Sequence, residues 1–151
     1  MNINEIIQYI VDQGVQSYEK NTDEHDLAID FVDIFAKDET DFEKLTKIAE
    51  SISTVIDKTK TGDIRKLNNP VETKAGKLRL MKIRVPDKSK PYRGAPDFKI
   101  KSYENFKNKY LNQDKFSLIV RPDYEMIELK DDDFDVLVYF LNNPLSDCLN
   151  L

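Results

Sequence analysis

The chain has 151 residues, 40 % of them hydrophobic and 34 % charged, with a net charge of −5. One histidine, His25, and one cysteine, Cys148, exclude a His/Cys metal cluster within the chain and an internal disulfide. No GxxxxGK[ST] or GxGxxG loop occurs among its four glycines, which excludes the commonest nucleotide cradles.

Length and apolar content suffice for a conventional core without staples. No apolar run approaches the ~18 residues of a membrane span. The opening MNINEIIQYIVDQG lacks the basic start and small-residue cleavage site of a signal peptide. With its lone thiol, the chain is expected to be cytoplasmic.

Charge is unevenly distributed. Residues 1–57 hold 4 basic and 14 acidic side chains, residues 58–110 hold 16 and 5, and residues 111–151 hold 3 and 9. A strongly basic middle between acidic ends points to an anionic partner or to pairing within the protein.

In chain order, Ile3, Ile6, Ile7, Ile10 and Val11 form the apolar stripe of a first helix. After NTDEHD (21–26), Leu27, Phe31, Ile34 and Phe35 suit a second helix, with Asp26, Asp30 and Asp33 on its other sides. Thr40 and Glu43 fit a capping box for a third, whose stripe is Phe42, Leu45, Ile48, Ala49, Ile52, Val55 and Ile56. Three such helices make a small bundle over 1–60, and the 3–4 spacing of the third also allows a dimer seam.

Residues 61–76 lack any period and read as a linker. KLRLMKIRV (77–85) reads as a strand with a bulge near Leu80–Met81. Pro86, Pro91 and Pro96 stiffen a loop before the short strand DFKIK. Ser102 can cap a helix bearing Tyr103, Phe106, Tyr110 and Leu111. FSLIV (116–120) and YEMIEL (124–129) fit a hairpin, and DVLVYFL (135–141) a buried strand. No internal repeat is visible. The expected fold is α+β: a three-helix segment, then over 77–151 an antiparallel sheet of four to five strands with one packed helix.

For function, the basic middle carries the strongest signal. Arg79, Lys82, Arg84, Lys88, Lys90, Arg93, Lys99 and Lys101 could follow an anionic surface, with Tyr92 as a stacking ring. The expected role is a non-catalytic interaction protein that engages an acidic protein surface or a nucleic acid through 79–101, without a cofactor. No membrane partner is expected, and homodimerisation through the first helices is not the preferred reading. A second reading is a Mg²⁺-dependent nuclease of the PD-(D/E)xK type, with Asp97 and Glu128 as metal ligands and Lys130 beside the attacking water. A third is an inhibitor presenting the acidic helical face to a basic site.

Overall fold

A computed structural model describes the whole chain, Met1–Leu151. Helix α1 (Ile3–Asn21) begins with a complete capping box. Asn2 accepts from the Glu5 amide at 2.9 Å, and the Glu5 carboxylate accepts from the Asn2 amide at 3.2 Å. Its stripe is interred: Ile7, Ile10 and Val11 are fully buried, each worth about 1.5–3 kcal/mol.

Strand β1 (Ile29–Phe35) follows, then α2 (Glu39–Ile52), β2 (Ser53–Thr59), β3 (Gly62–Thr73) and β4 (Gly76–Arg84). After the 85–93 loop come β5 (Gly94–Phe98), α3 (Tyr103–Tyr110), β6 (Phe116–Val120), β7 (Glu125–Lys130), β8 (Leu137–Leu141) and the short α4 (Leu145–Cys148). All eight strands join one mixed sheet in the order β2-β3-β4-β1-β5-β8-β7-β6. No helix is long and apolar enough to cross a membrane.

This order reads the same from both ends. β1-α2-β2-β3-β4 and β5-α3-β6-β7-β8 are two βαβββ units. In each, the first strand pairs in parallel with the last (β1 with β4, β5 with β8), and the rest is antiparallel. The units meet at the antiparallel β1/β5 pair, where Val32 opposes Pro96. A pseudo-two-fold axis through that pair carries Phe31 onto Ala95 and Asp33 onto Asp97. The chain therefore contains a structural repeat that its sequence does not display.

One sheet face is packed by α1, α2 and α3. Ile7, Ile10, Leu45, Ala49, Phe106 and Tyr110 from the helices meet Val32, Ile34, Met81, Phe98, Ile127 and Phe140 from the strands. Two glycines allow the closest approaches. A side chain at Gly14 would strike Pro96, and one at Gly94 would strike Ile10 and the Asp33 carbonyl. The opposite face carries no long helix, yet Phe31, Phe35, Leu80, Ala95 and Leu137 on it are all buried. That burial requires the sheet to curl over its own helix-free face.

The expected architecture is thus corrected at several points. The second helix is strand β1, whose seven residues are all buried. A run buried on both faces shows no alternation, and its Leu27, Phe31, Ile34, Phe35 spacing mimics a helical stripe. The third helix starts two residues early, capped by Asp38 accepting from the Asp41 amide at 2.7 Å rather than by Thr40. It stops at Ile52, so Val55 and Ile56 lie on exposed β2 and form no coiled-coil seam. Residues 61–76, expected as a linker, are β3 and its turn. The irregularity expected in β4 sits on β3, where the register jumps between Lys66 and Val71 opposite Leu80 and Leu78. The four- to five-stranded antiparallel sheet is an eight-stranded mixed one, although the β6/β7 hairpin and α3 fall where expected.

Candidate functional site

The helix-free face brings together polar side chains from five adjacent strands. Asp33 on β1 is flanked by Lys82 on β4, its register partner, with Nζ 3.4 Å from Oδ2. Arg84, one step along β4, lies 3.9 Å from the same oxygen, and its guanidinium sits 5.5 Å from the Phe35 ring centroid. Lys82 also donates to the Thr61 hydroxyl at 2.9 Å. Asp97 on β5 has Tyr139 of β8 as its register partner, and Tyr139 in turn pairs with Glu128 of β7. Phe35, Ala95 and Leu137, with Tyr92 and Tyr139 against them, make a small apolar cluster beside these groups.

The two aspartates are two-fold equivalents with different neighbours. On one side of the axis stand Lys82 and Arg84; on the other stand Tyr139 and Glu128. Opposite Asp97 is Phe31, two residues from Asp33, so the two side chains are diagonal neighbours with Cβ atoms roughly 7 Å apart. Burial pushes the Asp33 carboxyl up to about 6, and the Lys82 and Arg84 cations hold it from rising further. Burial, reinforced by the Asp30 and Asp33 carboxylates, pushes Asp97 well above the ordinary carboxyl range, against a smaller opposing effect of Lys82. Burial and the neighbouring Glu128 and Asp97 carboxylates also push the Tyr139 phenol up.

Two buried polar atoms here have no hydrogen-bond partner, Asp33 Oδ1 and Arg84 Nε. Buried unpaired groups are costly and uncommon, and a cluster of them marks a place for a polar occupant. No group of three or more His, Cys, Asp or Glu side chains comes together in a metal-binding arrangement. The chemistry on offer is that of protons and hydrogen-bond donors: two carboxyls of unequal acidity, an ammonium, a guanidinium and a phenol.

Most of the basic segment proposed from the sequence is engaged inside the protein. Lys82 and Arg84 face Asp33. Arg93 donates to the Phe35 carbonyl at 2.9 Å and to Asp41 at 3.1 Å. Tyr92 donates to Asp132 at 2.9 Å. Lys99 lies 3.8 Å from Asp30 and 3.5 Å from Asp147. Arg79, Lys88 and Lys101 are exposed, and Lys90 is half-buried.

The nuclease layout fares differently in its parts. Asp97 and Glu128 do share a face and a row, but Tyr139 stands between them, leaving their Cα atoms roughly 9–10 Å apart by strand spacing. Lys130 is exposed at the end of β7. Asp33, Tyr139 and Asp30 were missed altogether. Their signal was an acid or phenol inside an otherwise apolar run, as in IDFVDIF and LVYFL.

No family model matches the sequence, and comparison with curated proteins finds no match. Solved structures do match. A structural-genomics protein named EC4020 is 9 % identical, with 97 % of this chain and 92 % of that one covered and a TM-score of 0.67. A glyoxalase/bleomycin resistance protein/dioxygenase superfamily member from Vibrio splendidus 12B01 is 8 % identical over 76 % and 97 %, with a TM-score of 0.49. Methylmalonyl-CoA epimerase from Mycobacterium tuberculosis is 10 % identical over 76 % and 86 %, with a TM-score of 0.43. The first likeness shows a shared fold along nearly the whole of both chains.

The expectation of an interaction module working through 79–101 is corrected: β4 and β5 are interior strands, and Lys82 and Arg84 of β4 are turned onto Asp33 within the chain. The nuclease reading is corrected by the interposed Tyr139. The inhibitor reading fails because Asp30 and Asp33 are buried on a strand rather than displayed on a helix.

Proposed function

We propose that the helix-free face is a small-molecule site at which a proton is moved between Asp33, Asp97 and a bound organic acid or carbonyl compound. The observation that carries this reading is the pair of two-fold-related, buried aspartates whose surroundings differ. Two titratable groups with diverging acidities supply an acid and a base in one site. Asp33, at about 6, is largely ionised at neutrality and acts as the base. Asp97, which burial and the neighbouring Asp30 and Asp33 carboxylates push well above the ordinary carboxyl range, acts as the acid.

The step is proton abstraction beside a carbonyl. Asp33 takes the proton from carbon, the C–H electron pair becomes the C=C bond of an enolate, and the carbonyl π pair moves onto the oxygen. Asp97 and Lys82 donate hydrogen bonds to that oxygen as its charge develops. Returning the proton to carbon closes the cycle, so the side chains alone suffice for it. Arg84 Nε is a free donor for the carboxylate of the same molecule. Cys148 is a lone exposed thiol, which fits a reducing compartment, and we place the protein in the cytoplasm on that ground.

The test is deuterium exchange. The protein is incubated in D₂O with a panel of small 2-oxo acids and acyl thioesters, and loss of C–H signals is followed by proton NMR. Exchange that falls at least about a hundredfold in Asp33→Asn is expected, in line with the usual worth of a positioned base. Absence of exchange across the panel, or equal exchange in Asp33→Asn, would overturn the reading.

A further inference from the structure

We infer that residues 143–151, after β8, are a latch over the way into the helix-free face, with Asp30 as its catch; this rests on reading that face as a small-molecule site. The two ends of the face are closed in different ways. At the end where β1 stops and β5 starts, the closure is heavily tied. The Phe35 amide donates to the Arg93 carbonyl at 2.9 Å, and the Arg93 amide donates to the Asp135 carbonyl at 2.9 Å. The Arg93 side chain bridges Phe35 and Asp41, and Tyr92 packs into the apolar cluster.

At the other end the closure hangs on one carboxylate. Asp30 accepts from the Leu145 amide at 2.8 Å, from the Ser146 amide at 3.3 Å and from the Ser146 hydroxyl. Lys99 adds an exposed bridge between Asp30 and Asp147. Apolar anchoring is slight: Ser146 is the only buried residue of 143–151, and Leu151 is 40 % exposed. Asp30 itself is buried, and it lies close enough to Asp97 for its charge to act on it. A cleft of about 820 Å³ between residues 24–28 and α3 is lined in part by Leu27, Ala28, Phe106 and Lys99. Lys99 thus belongs to both the cleft and the latch.

A closure held by a few polar bonds with little buried apolar area opens at low free-energy cost, whereas the Arg93 end does not. Release of Leu145 and Ser146 from Asp30 then uncovers this end of the face. Because water replaces most of these bonds once the segment opens, losing the catch should raise the open fraction by the worth of one charge-assisted hydrogen bond, about ten- to a hundredfold.

The experiment measures access without any ligand. In a Cys148→Ser background, Ala95→Cys places a thiol on the helix-free face, and Ala49→Cys places a control under α2; both positions are fully buried. Labelling by a thiol reagent is compared with and without Asp30→Ala, and again with Ser146→Pro, which removes both the amide and the hydroxyl that reach Asp30. Labelling of Ala95→Cys is expected to rise about ten- to a hundredfold in both variants, with Ala49→Cys unchanged. Equal rises at both thiols would mean general loosening and would overturn the latch, as would no change in either variant. A rise with Tyr92→Ala alone would move the entrance to the other end and also overturn it. Because labelling needs no ligand, its outcome is separable from the deuterium-exchange result on which the site itself stands.

Discussion

The two halves of the sheet share one topology, and they differ in what surrounds their equivalent aspartates. Asp33 has two cations against it, whereas Asp97 has a phenol beside it and other carboxylates nearby. The backbone places both acids alike, and their charged neighbours separate them: Lys82 and Arg84 act on Asp33, Asp30 and Asp33 on Asp97. Symmetry of backbone with asymmetry of charge turns a repeated residue into two distinct functional groups.

The comparison breaks most sharply at Lys82. Lys82→Met should cost about 3 kcal/mol at pH 8, because it strips an ion pair that is largely buried and leaves Asp33 with Arg84 alone. Tyr139→Phe, at the equivalent position, should cost less than about 1 kcal/mol. Urea unfolding of both variants checks this, and equal costs would erase the asymmetry.

Stability against pH carries the same signature. Asp33 binds its proton more tightly in the folded state, up to about 6 against an ordinary 3.8. Between those values the folded state holds more protons than the unfolded one. Its contribution is therefore full below about pH 4 and is lost as pH rises through 6, about 3 kcal/mol in all. Asp97 acts in the same direction. Asp131 opposes them: burial pushes it up, but hydrogen bonds from Asn21, the Asp133 amide, Lys20 and Lys115 prevail and lower it, so its stabilisation is lost only as pH falls below the carboxyl range. Thermal melts from pH 4 to 8 should show stability declining in the wild type and a flatter profile in Asp33→Asn.

Smaller effects sharpen the contrast elsewhere. Gly94→Ala should cost about 1–3 kcal/mol, since the added carbon meets the Asp33 carbonyl as well as Ile10. Gly14→Ala should cost less, because the atoms it meets belong to side chains of Pro96 and Phe98. In the 85–93 loop, Arg93→Ala should cost about 2 kcal/mol through its lost bonds to Phe35 and Asp41. Exposed Lys88→Ala should stay within about 0.5 kcal/mol. Denaturant midpoints for the four variants rank them directly.

Local patterns in the sequence were read well where one face of an element is wet. The α1 stripe, the β6/β7 hairpin and the α3 aromatics all alternate with polar residues, and the structure places them accordingly. Reading failed where an element is buried on both faces, as in IDFVDIF, or where a strand is half exposed and interrupted, as in β3. The repeat was hidden because it lives in strand order and register rather than in residue identity: Phe31-Val32-Asp33-Ile34 maps onto Ala95-Pro96-Asp97-Phe98 with only the aspartate kept. The basic middle was legible as composition, yet its meaning depended on partners distant in sequence, such as Asp33 for Lys82 and Asp41 for Arg93.

The most direct test is a carbon-13 NMR titration of the aspartate carboxyls in the wild-type protein, assigned with Asp33→Asn and Asp97→Asn. The account expects Asp33 to titrate near 6 and Asp97 to titrate well above the usual carboxyl range, with Asp33 sensing the second step. Two independent midpoints near 4 would show the pair to be ordinary solvated carboxyls and would contradict the acid–base site at its root.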